Sequence, residues 1–153
     1  MACLEEVITL DKIVEAYNRI NTILMRTPVH TSSTVDKLVG KLVYFKCDNF
    51  QKTGSFKARG ALNAVLSKIS RSQNVADYTG CVTHSSGNHG AALAWAANYE
   101  RIPCTVVVPR NTPQVKIDSI REYNAQLVFC ENTAVSRVEV CERIARDERR
   151  LLG

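Results

Sequence analysis

Hydrophobic residues recur along the second half of the chain in two alternating patterns. Short apolar runs rich in β-branched residues, such as Val106-Val107-Val108, alternate with segments whose apolar positions are three or four residues apart. We predict strands at 81–84, 104–108 and 126–130, and helices at 91–98, 113–123 and 133–151. Because strands that alternate with helices form parallel sheets, this pattern predicts an α/β fold with a parallel twisted sheet and flanking helices.

The first half of the chain is dominated by helical spacing. Its periodicity predicts a helix at 11–24 that is capped by Asp11, and an extended segment at 29–33. A short helix capped by Thr34 and ended by Gly40, a strand at 42–47 and a helix at 58–69 are predicted to follow. The polar, aperiodic stretch 70–79 predicts a loop and a domain boundary.

Composition and charge narrow the classes of function. Hydrophobic residues make up 45% of the 153 residues, which is enough for a folded core. The net charge of +5 comes mostly from late arginines, which alternate with acidic residues in the last predicted helix. That pattern indicates a solvated helix face, so no nucleic-acid partner is expected.

The cysteines and the amino-terminal residues bear on the location of the protein. None of the six cysteines belongs to a Cys-x-x-Cys pair, so no zinc site is predicted. Most of them lie in apolar runs, where cysteine acts as a small buried hydrophobe, and this usage is typical of a reducing compartment. The sequence has neither a signal-peptide pattern nor an apolar run of membrane length, so we expect a cytoplasmic protein that does not enter membranes.

Residues 49–61 are the first candidate for chemistry, because they form a polar loop between a predicted strand and a predicted helix. Thr53 and Ser55 are candidate caps of that helix, and Gly54 allows a tight turn. Lys57 then lies in the first helical turn. It is a candidate for a lysine that reacts with a carbonyl group, and the alternative is an ordinary exposed lysine.

The sequence Ser85-Ser86-Gly87-Asn88-His89-Gly90 is the second candidate, again between a strand and a helix. A loop of this kind directs backbone N–H groups at an anion. Two such loops in one chain indicate a ligand with a carboxylate or phosphate group. The alternatives are a capping role for Ser86 and an ordinary loop histidine at His89.

Together the two motifs resemble those of the fold-type II pyridoxal-phosphate enzymes, which share the fold of the tryptophan synthase β subunit. The Phe-Lys-x-Arg-Gly-Ala motif, with Ser-Ser-Gly-Asn-His-Gly, is similar to that of the serine racemase and serine/threonine dehydratase family. The likeness extends to Arg26-Thr27-Pro28-Val29. Chains of that family are roughly twice as long. The resemblance therefore implies an N-terminal portion, with an incomplete large domain at 1–80 and most of the small domain at 81–153.

The resemblance implies roles for residues of both motifs. Lys57 would hold pyridoxal 5'-phosphate covalently and take the substrate α-proton on one face, while Ser86 would serve the opposite face in a racemase. Phe56 and Asn88 would contact the cofactor, Asn88 at its ring hydroxyl. The substrate is expected to be a small amino acid, serine or threonine. The loop that binds its carboxylate would comprise Ser85, Ser86, Gly87, Asn88 and His89.

The resemblance also implies that the longer enzymes are homodimers that bind ATP and Mg2+. The positions that match the nucleotide site are Ser32, Ser33, Lys52, Thr53 and Tyr123. The relatives carry glutamine where this chain has Ala91, so one hydrogen-bonding group is missing. The family's metal-binding acids, its phosphate-binding glycine loop and the residue that faces the pyridine nitrogen have no counterpart in this sequence.

Three functions follow from these observations. The first is a serine racemase with serine dehydratase (ammonia-lyase) activity, present as a truncated N-terminal portion. The second is a threonine dehydratase (ammonia-lyase), and the third is a non-catalytic remnant. The run Thr31-Ser32-Ser33 favours the first over the second, whereas the lack of the glycine loop favours the third.

Overall fold

The computed structural model describes residues 8–71 and 79–152. The first part contains helix α1 (Leu10–Ile20), strand β1 (Val29–Thr31), helix α2 (Ser33–Val39), strand β2 (Tyr44–Lys46), two short 3-10 turns (Asp48–Phe50 and Lys52–Gly54) and helix α3 (Lys57–Arg71). The second part contains β3 (Cys81–His84), α4 (Asn88–Tyr99), β4 (Cys104–Pro109), α5 (Gln114–Arg121), β5 (Gln126–Cys130), α6 (Ala134–Asp147) and β6 (Leu151–Leu152).

Strands β3 to β6 form one parallel sheet in the order β5-β4-β3-β6, which confirms the predicted α/β fold. All six residues of β4 are buried, as expected for a β-branched strand that is covered on both faces. One face packs against α4, which in turn packs against α3, in the larger core cluster, and the other packs against α6 in the smaller one. The larger cluster contains Leu62 and Leu93, so it includes residues from both sides of the boundary predicted near residue 80.

Strand β6 was not predicted, because the helical pattern was extended to residue 151. The structure ends α6 at Asp147, and Leu151 and Leu152 pair with β3 in parallel register. The loop and boundary predicted at 70–79 lie largely outside the described residues, and α3 continues to Arg71.

Two helix starts in the first part differ from the predictions. The side chain of Thr9 caps α1 by accepting a hydrogen bond from the Lys12 N–H at 3.3 Å, so Asp11 is not the cap. Ser32 caps α2, and not Thr34, because it accepts from the Val35 N–H at 3.4 Å. Each true cap precedes the prediction by two residues, which is within the usual error of a helix boundary.

The amino-terminal elements leave much apolar surface exposed. Strands β1 and β2 pair antiparallel with each other, and all six of their residues are exposed. Helix α1 buries Ile20 but leaves the rest of its predicted apolar stripe exposed, and Leu24 beyond it is buried. The exposed large side chains here include Ile13, Val14, Tyr17, Val29, Tyr44 and Phe45. Among the described residues, no helix is long and apolar enough to cross a membrane.

Candidate functional site

The structure places Lys57 as the first residue of α3, with its side chain exposed. Its Nζ lies 5.1 Å from the centroid of the Phe56 ring, which is an attractive position for an ammonium group. The predicted caps are wrong, because the hydroxyls of Thr53 and Ser55 are buried without a hydrogen-bond partner in the described part of the chain. The predicted turn at Gly54 is confirmed, since its φ of +67° is in the left-handed region.

A buried glutamine holds the loop that precedes Lys57. The Gln51 side chain accepts a hydrogen bond from the Met25 N–H at 3.1 Å and donates one to the Met25 carbonyl at 2.7 Å. Its oxygen also accepts from the Lys52 N–H at 2.9 Å. The amide group therefore satisfies both backbone groups of Met25. These bonds tie the loop at 49–56, which we call the lysine loop, to the segment after α1.

An ion pair holds the chain on the other side of Lys57. Arg59 donates two hydrogen bonds of 2.9 Å to the two oxygens of Asp48, in the bidentate geometry that guanidinium and carboxylate favour. The Thr27 hydroxyl donates to the same carboxylate at 2.6 Å, and Lys46 donates to the Thr27 carbonyl at 2.6 Å. The hydrogen bonds from Arg59 hold the pKa of Asp48 well below its ordinary value, although burial opposes them.

We call these two sets of contacts the clamps: the Gln51–Met25 hydrogen bonds and the Asp48–Arg59 ion pair. Sequence reasoning missed both. Thr27 and Arg59 belong to motifs that the sequence made visible, but their shared partner Asp48 is 21 and 11 residues away from them. Gln51 and Met25 are 26 residues apart. Hydrophobic periodicity carries no information on pairs so far apart in sequence. The signal that could have indicated these contacts is the concentration of polar residues in 48–59 after an apolar run.

The second motif connects β3 to α4. Helix α4 begins at Asn88 with Gly87 as its N-cap, so the predicted loop of six residues is shorter than expected and its end forms the first helical turn. The Ser85 hydroxyl accepts a hydrogen bond from the Gly87 N–H at 3.3 Å. Ser85, Ser86 and His89 are half-buried. The first N–H groups of an α-helix point out of its amino end, so the first turn of α4 is a candidate anion-binding terminus.

Gly90 fixes how closely this motif approaches the sheet. A Cβ on Gly90 would lie 2.4 Å from the Ser85 carbonyl oxygen and 3.1 Å from Val106 Cγ1. Both distances are shorter than ordinary contacts, so glycine is required for the close approach. The turn from β3 into α4 is thereby packed against β4.

The two motifs meet at a cavity of about 370 Å3 between the lysine loop, α4 and α5. Of the predicted site residues, Thr53, Asn88 and Tyr123 line it. Burial raises the pKa of Tyr123, and the neighbouring Glu122 adds to this effect. The cavity lining does not include Lys57 or Ser86. The residues at the cavity wall are Thr53, Gly54, Asn88, Ala91, Ser119, Glu122 and Tyr123.

The remaining predicted residues lie outside this cavity lining. Ser32 and Ser33 are at the amino end of α2, where Ser32 is occupied as its cap. Lys52 is exposed in the second 3-10 turn. The cavity therefore brings Thr53 and Tyr123 of the predicted nucleotide site together with Asn88. The catalytic roles of Lys57 and Ser86 stay predictions.

Comparison with protein families gives one match over most of the chain. The family described as "Pyridoxal-phosphate dependent enzyme" matches residues 20–152. This range includes both motifs, both clamps and the whole parallel sheet.

Curated relatives include two serine racemases and a dehydratase. The chain is 47% identical to the serine racemase of Dictyostelium discoideum over 85% of its own length and 39% of the relative's. It is 43% identical to that of Homo sapiens, over 95% of the chain and 42% of the relative. It is 40% identical to the β-hydroxyaspartate dehydratase of Paracoccus denitrificans, over 89% of the chain and 42% of the relative.

Solved structures share the fold. A pyridoxal 5'-phosphate-dependent aspartate racemase matches with a TM-score of 0.89 and 46% identity, covering 100% of this chain and 46% of that protein. A threonine deaminase matches with a TM-score of 0.82 and 36% identity, covering 95% of this chain and 44% of that protein. The chain thus spans less than half the length of each of these relatives.

Proposed function

The chain belongs to the pyridoxal-phosphate-dependent enzymes of fold type II, and we propose that it is the N-terminal portion of a serine racemase that also has serine dehydratase activity. The observation that carries the proposal is the match of the pyridoxal-phosphate family over residues 20–152, which include both the lysine loop and the Ser85–Gly90 motif. The serine racemase relatives, at 43% and 47% identity, support this choice of reaction.

The residues present fit the cofactor. Lys57 offers an exposed primary amine beside an aromatic ring, and the two clamps fix the backbone before and after it. The buried hydroxyl of Ser55, which has no hydrogen-bond partner among the described residues, provides a polar group close to this amine in sequence. Pyridoxal phosphate, when bound, withdraws electrons from the substrate α-carbon, so that its proton can be removed.

In this proposal the chain's own residues bind, orient and move a proton. The first turn of α4 presents backbone N–H groups to the substrate carboxylate, together with Ser85, Asn88 and His89. Lys57 moves the α-proton on one face of the substrate, and Ser86 moves it on the other. A racemase needs both groups, whereas elimination of water from serine needs one face and loss of the β-hydroxyl.

Covalent labelling tests the role of Lys57. The chain is incubated with pyridoxal phosphate and reduced with borohydride, and its peptides are analysed by mass spectrometry. We expect the pyridoxyl group on Lys57 and no labelling of the Lys57→Ala variant, whereas Lys52→Ala is labelled like the parent chain. Preferential labelling of Lys46 or Lys52 would contradict the assignment.

A chimera distinguishes the two reactions. This chain replaces the matching 39% of the Dictyostelium discoideum serine racemase, and D-serine and pyruvate are both assayed. Ser86→Ala should abolish conversion of L-serine to D-serine while part of the pyruvate formation persists, because Lys57 still serves one face. Equal loss of both reactions would mean that Ser86 is structural.

A second candidate function is threonine dehydration, which the threonine deaminase structure supports. The same chimera compares turnover of L-threonine and L-serine at equal concentrations. A clear preference for threonine, with no D-amino acid formed, would replace the racemase assignment. Absence of turnover in a folded chimera that binds the cofactor would favour the third alternative, a non-catalytic remnant.

We propose that residues 1–80 belong to a large domain and 81–153 to a small domain of the complete enzyme. The support is the unequal burial of the two parts, since α1, β1 and β2 expose an apolar surface while β3 and β4 are covered. The relatives have further residues outside the region that this chain matches, and those residues are available to cover such a surface. Limited proteolysis of the isolated chain should therefore cut before residue 57 sooner than in 81–147.

For the location we propose the cytoplasm. The described cysteines Cys47, Cys81, Cys104, Cys130 and Cys141 are all free thiols, as a reducing compartment maintains them. We also propose a homodimer for the complete enzyme, as the family resemblance implies. Sedimentation of the chimera tests this assembly.

ATP is the proposed second ligand, and the cavity lined by Thr53, Ala91 and Tyr123 is its proposed site. The buried Thr53 hydroxyl, which lacks a hydrogen-bond partner in the described part of the chain, supports a polar ligand there. The small Ala91 side chain and the Glu122 carboxylate weaken phosphate binding, because one offers no hydrogen bond and the other repels anions. Among the described residues, no group of three or more acidic, histidine or cysteine side chains is arranged for a metal ion, and we assign none to Mg2+.

Calorimetric titration with Mg-ATP tests this site. We expect weak binding by the chain, tighter binding by Ala91→Gln and loss of binding in Thr53→Ala. Gln114→Ala, an exposed change on α5 outside the cavity lining, is the matched control. Unchanged affinity in both cavity variants would exclude this cavity as the nucleotide site.

A further inference from the structure

The amino ends of β3 and β4 carry two cysteines side by side. Cys81 and Cys104 are Cα partners in the parallel register, so their side chains leave the sheet on the same face. Both are free thiols in the larger core cluster, with exposures of 2% and 6%. Adjacent strands are about 4.7–4.9 Å apart, which lies within the Cα separation that a disulfide spans.

A buried cation lies next to this pair. The Arg150 guanidinium lies against Gly80, because its Nη1 would be 3.1 Å from a Cβ on that glycine. Nη1 is buried and has no hydrogen-bond partner within the described residues, while Nε donates to a carboxylate oxygen of Glu148 at 2.6 Å. The side chain of Arg150 is 11% exposed and that of Glu148 is 49% exposed. Water therefore screens Glu148 more than it screens the arginine.

The pKa values of the two thiols are shifted in opposite directions. The hydrogen bond from Cys104 lowers the pKa of Cys81, and the charge of Arg150 lowers it further against the effect of burial. The same hydrogen bond, together with burial, raises the pKa of Cys104. Of the two thiols, Cys81 therefore gives up its proton more readily than Cys104. At another buried thiol, burial and the nearby Glu142 raise the pKa of Cys141 to about 11.

We propose that Cys81, Cys104 and Arg150 form an oxidisable dithiol site, which hydrogen peroxide converts into a disulfide between β3 and β4. In the first step the Cys81 sulfur attacks a peroxide oxygen, so that an S–O bond forms and the O–O bond breaks. The hydroxide that leaves takes up the proton from Cys81 and becomes water. In the second step Cys104 attacks the Cys81 sulfur, an S–S bond forms, and the S–O bond breaks as water leaves with the Cys104 proton. The two thiols lose two electrons, and the peroxide is reduced to two molecules of water.

Access for the oxidant is through the edge of the sheet at β6. This strand has two residues and pairs with β3 alone in the described sheet. Short edge elements open locally at little free-energy cost. Opening of β6 uncovers the edge of β3 that carries Cys81. In a cytoplasmic protein such a disulfide is typical of a redox-sensing device.

Peptide mapping of the intact chain tests the proposal. The chain is treated with hydrogen peroxide in native buffer, then alkylated and digested without reduction. We expect a loss of about 2 Da before alkylation and a linked peptide pair containing Cys81 and Cys104, while Cys130 and Cys141 are recovered in alkylated form. A disulfide that joins other cysteines, or one that forms only in urea, would overturn the proposal.

Variants separate the roles of the three residues. Cys104→Ala should stop at a sulfenic acid on Cys81, which dimedone traps. Arg150→Met should slow the loss of the two thiols by at least about threefold, because the stabilising charge is gone. Cys141→Ala, which removes a buried thiol from the other core cluster, is the matched control and should leave the rate unchanged. Equal rates in Arg150→Met and the parent chain would refute the assigned role of Arg150, and the parent chain's peptide map stands even where a variant fails to fold.

Discussion

Replacement of Gly90 by alanine tests whether the turn from β3 into α4 depends on close packing. The new Cβ would lie 2.4 Å from the Ser85 carbonyl oxygen, whereas ordinary contacts begin at 3.4 Å. Ser85 or the start of α4 must therefore move by about 1 Å, and overpacking of this kind costs about 1–3 kcal/mol. Alanine also favours a helix over glycine by roughly 0.5–1 kcal/mol. We expect a net loss in free energy of unfolding of about 1 kcal/mol.

Urea denaturation followed by circular dichroism measures this change, with the midpoint compared at an unchanged slope. Gly60→Ala in α3 is the matched control, since it brings the same helical gain but a Cβ there has no heavy atom within 4 Å. It should be at least as stable as the parent chain. If Gly90→Ala is as stable as Gly60→Ala, the turn is not held by this contact and the reasoning fails.

Two further predictions concern the lysine loop and α3. Asp48→Asn should destabilise the chain at neutral pH by about 1–2 kcal/mol, because Arg59 loses a charge-assisted partner that is partly screened by solvent. Since the folded pKa of Asp48 lies below its ordinary value of 3.8, its contribution is complete above about pH 4 and is lost as the pH falls further. Urea midpoints should thus decline more steeply below pH 4 in the parent chain than in Asp48→Asn, and parallel slopes would contradict the ion pair. Gly60→Ala should raise the free energy of unfolding by about 0.5–1 kcal/mol, because a Cβ there meets nothing within 4 Å, and a lower midpoint would contradict this.

The sequence predicted the parallel sheet well because its central strands carry their signal locally. Val106, Val107 and Val108 are contiguous, and the structure buries each of them completely. The strand at Gln126–Cys130 was predicted at its observed bounds. In the first half, β1 and β2 were recognised as extended segments but proved shorter than expected.

The clamps around Lys57 could not be predicted in the same way. Gln51 and Met25 form two hydrogen bonds across 26 residues, and Asp48 meets Thr27 across 21. Such contacts depend on how α1 and the segment after it fold back onto the loop. The motif Phe-Lys-x-Arg predicts Lys57 as the reactive amine, whereas the residues that position its backbone are visible only in the fold.

The pairing of β6 with β3 has a consequence for the order in which the sheet forms and opens. Cys81 and Leu151 are register partners although they are 70 residues apart, whereas β3 and β4 join residues much nearer in sequence. Closing so long a loop costs chain entropy before any contact is gained, so β6 should add to the sheet late in folding. Hydrogen-exchange rates of the backbone amides should therefore differ between these strands. The amides of β4 should exchange at the rate of global unfolding, while those of Leu151 and Leu152 should exchange through local opening, many times faster.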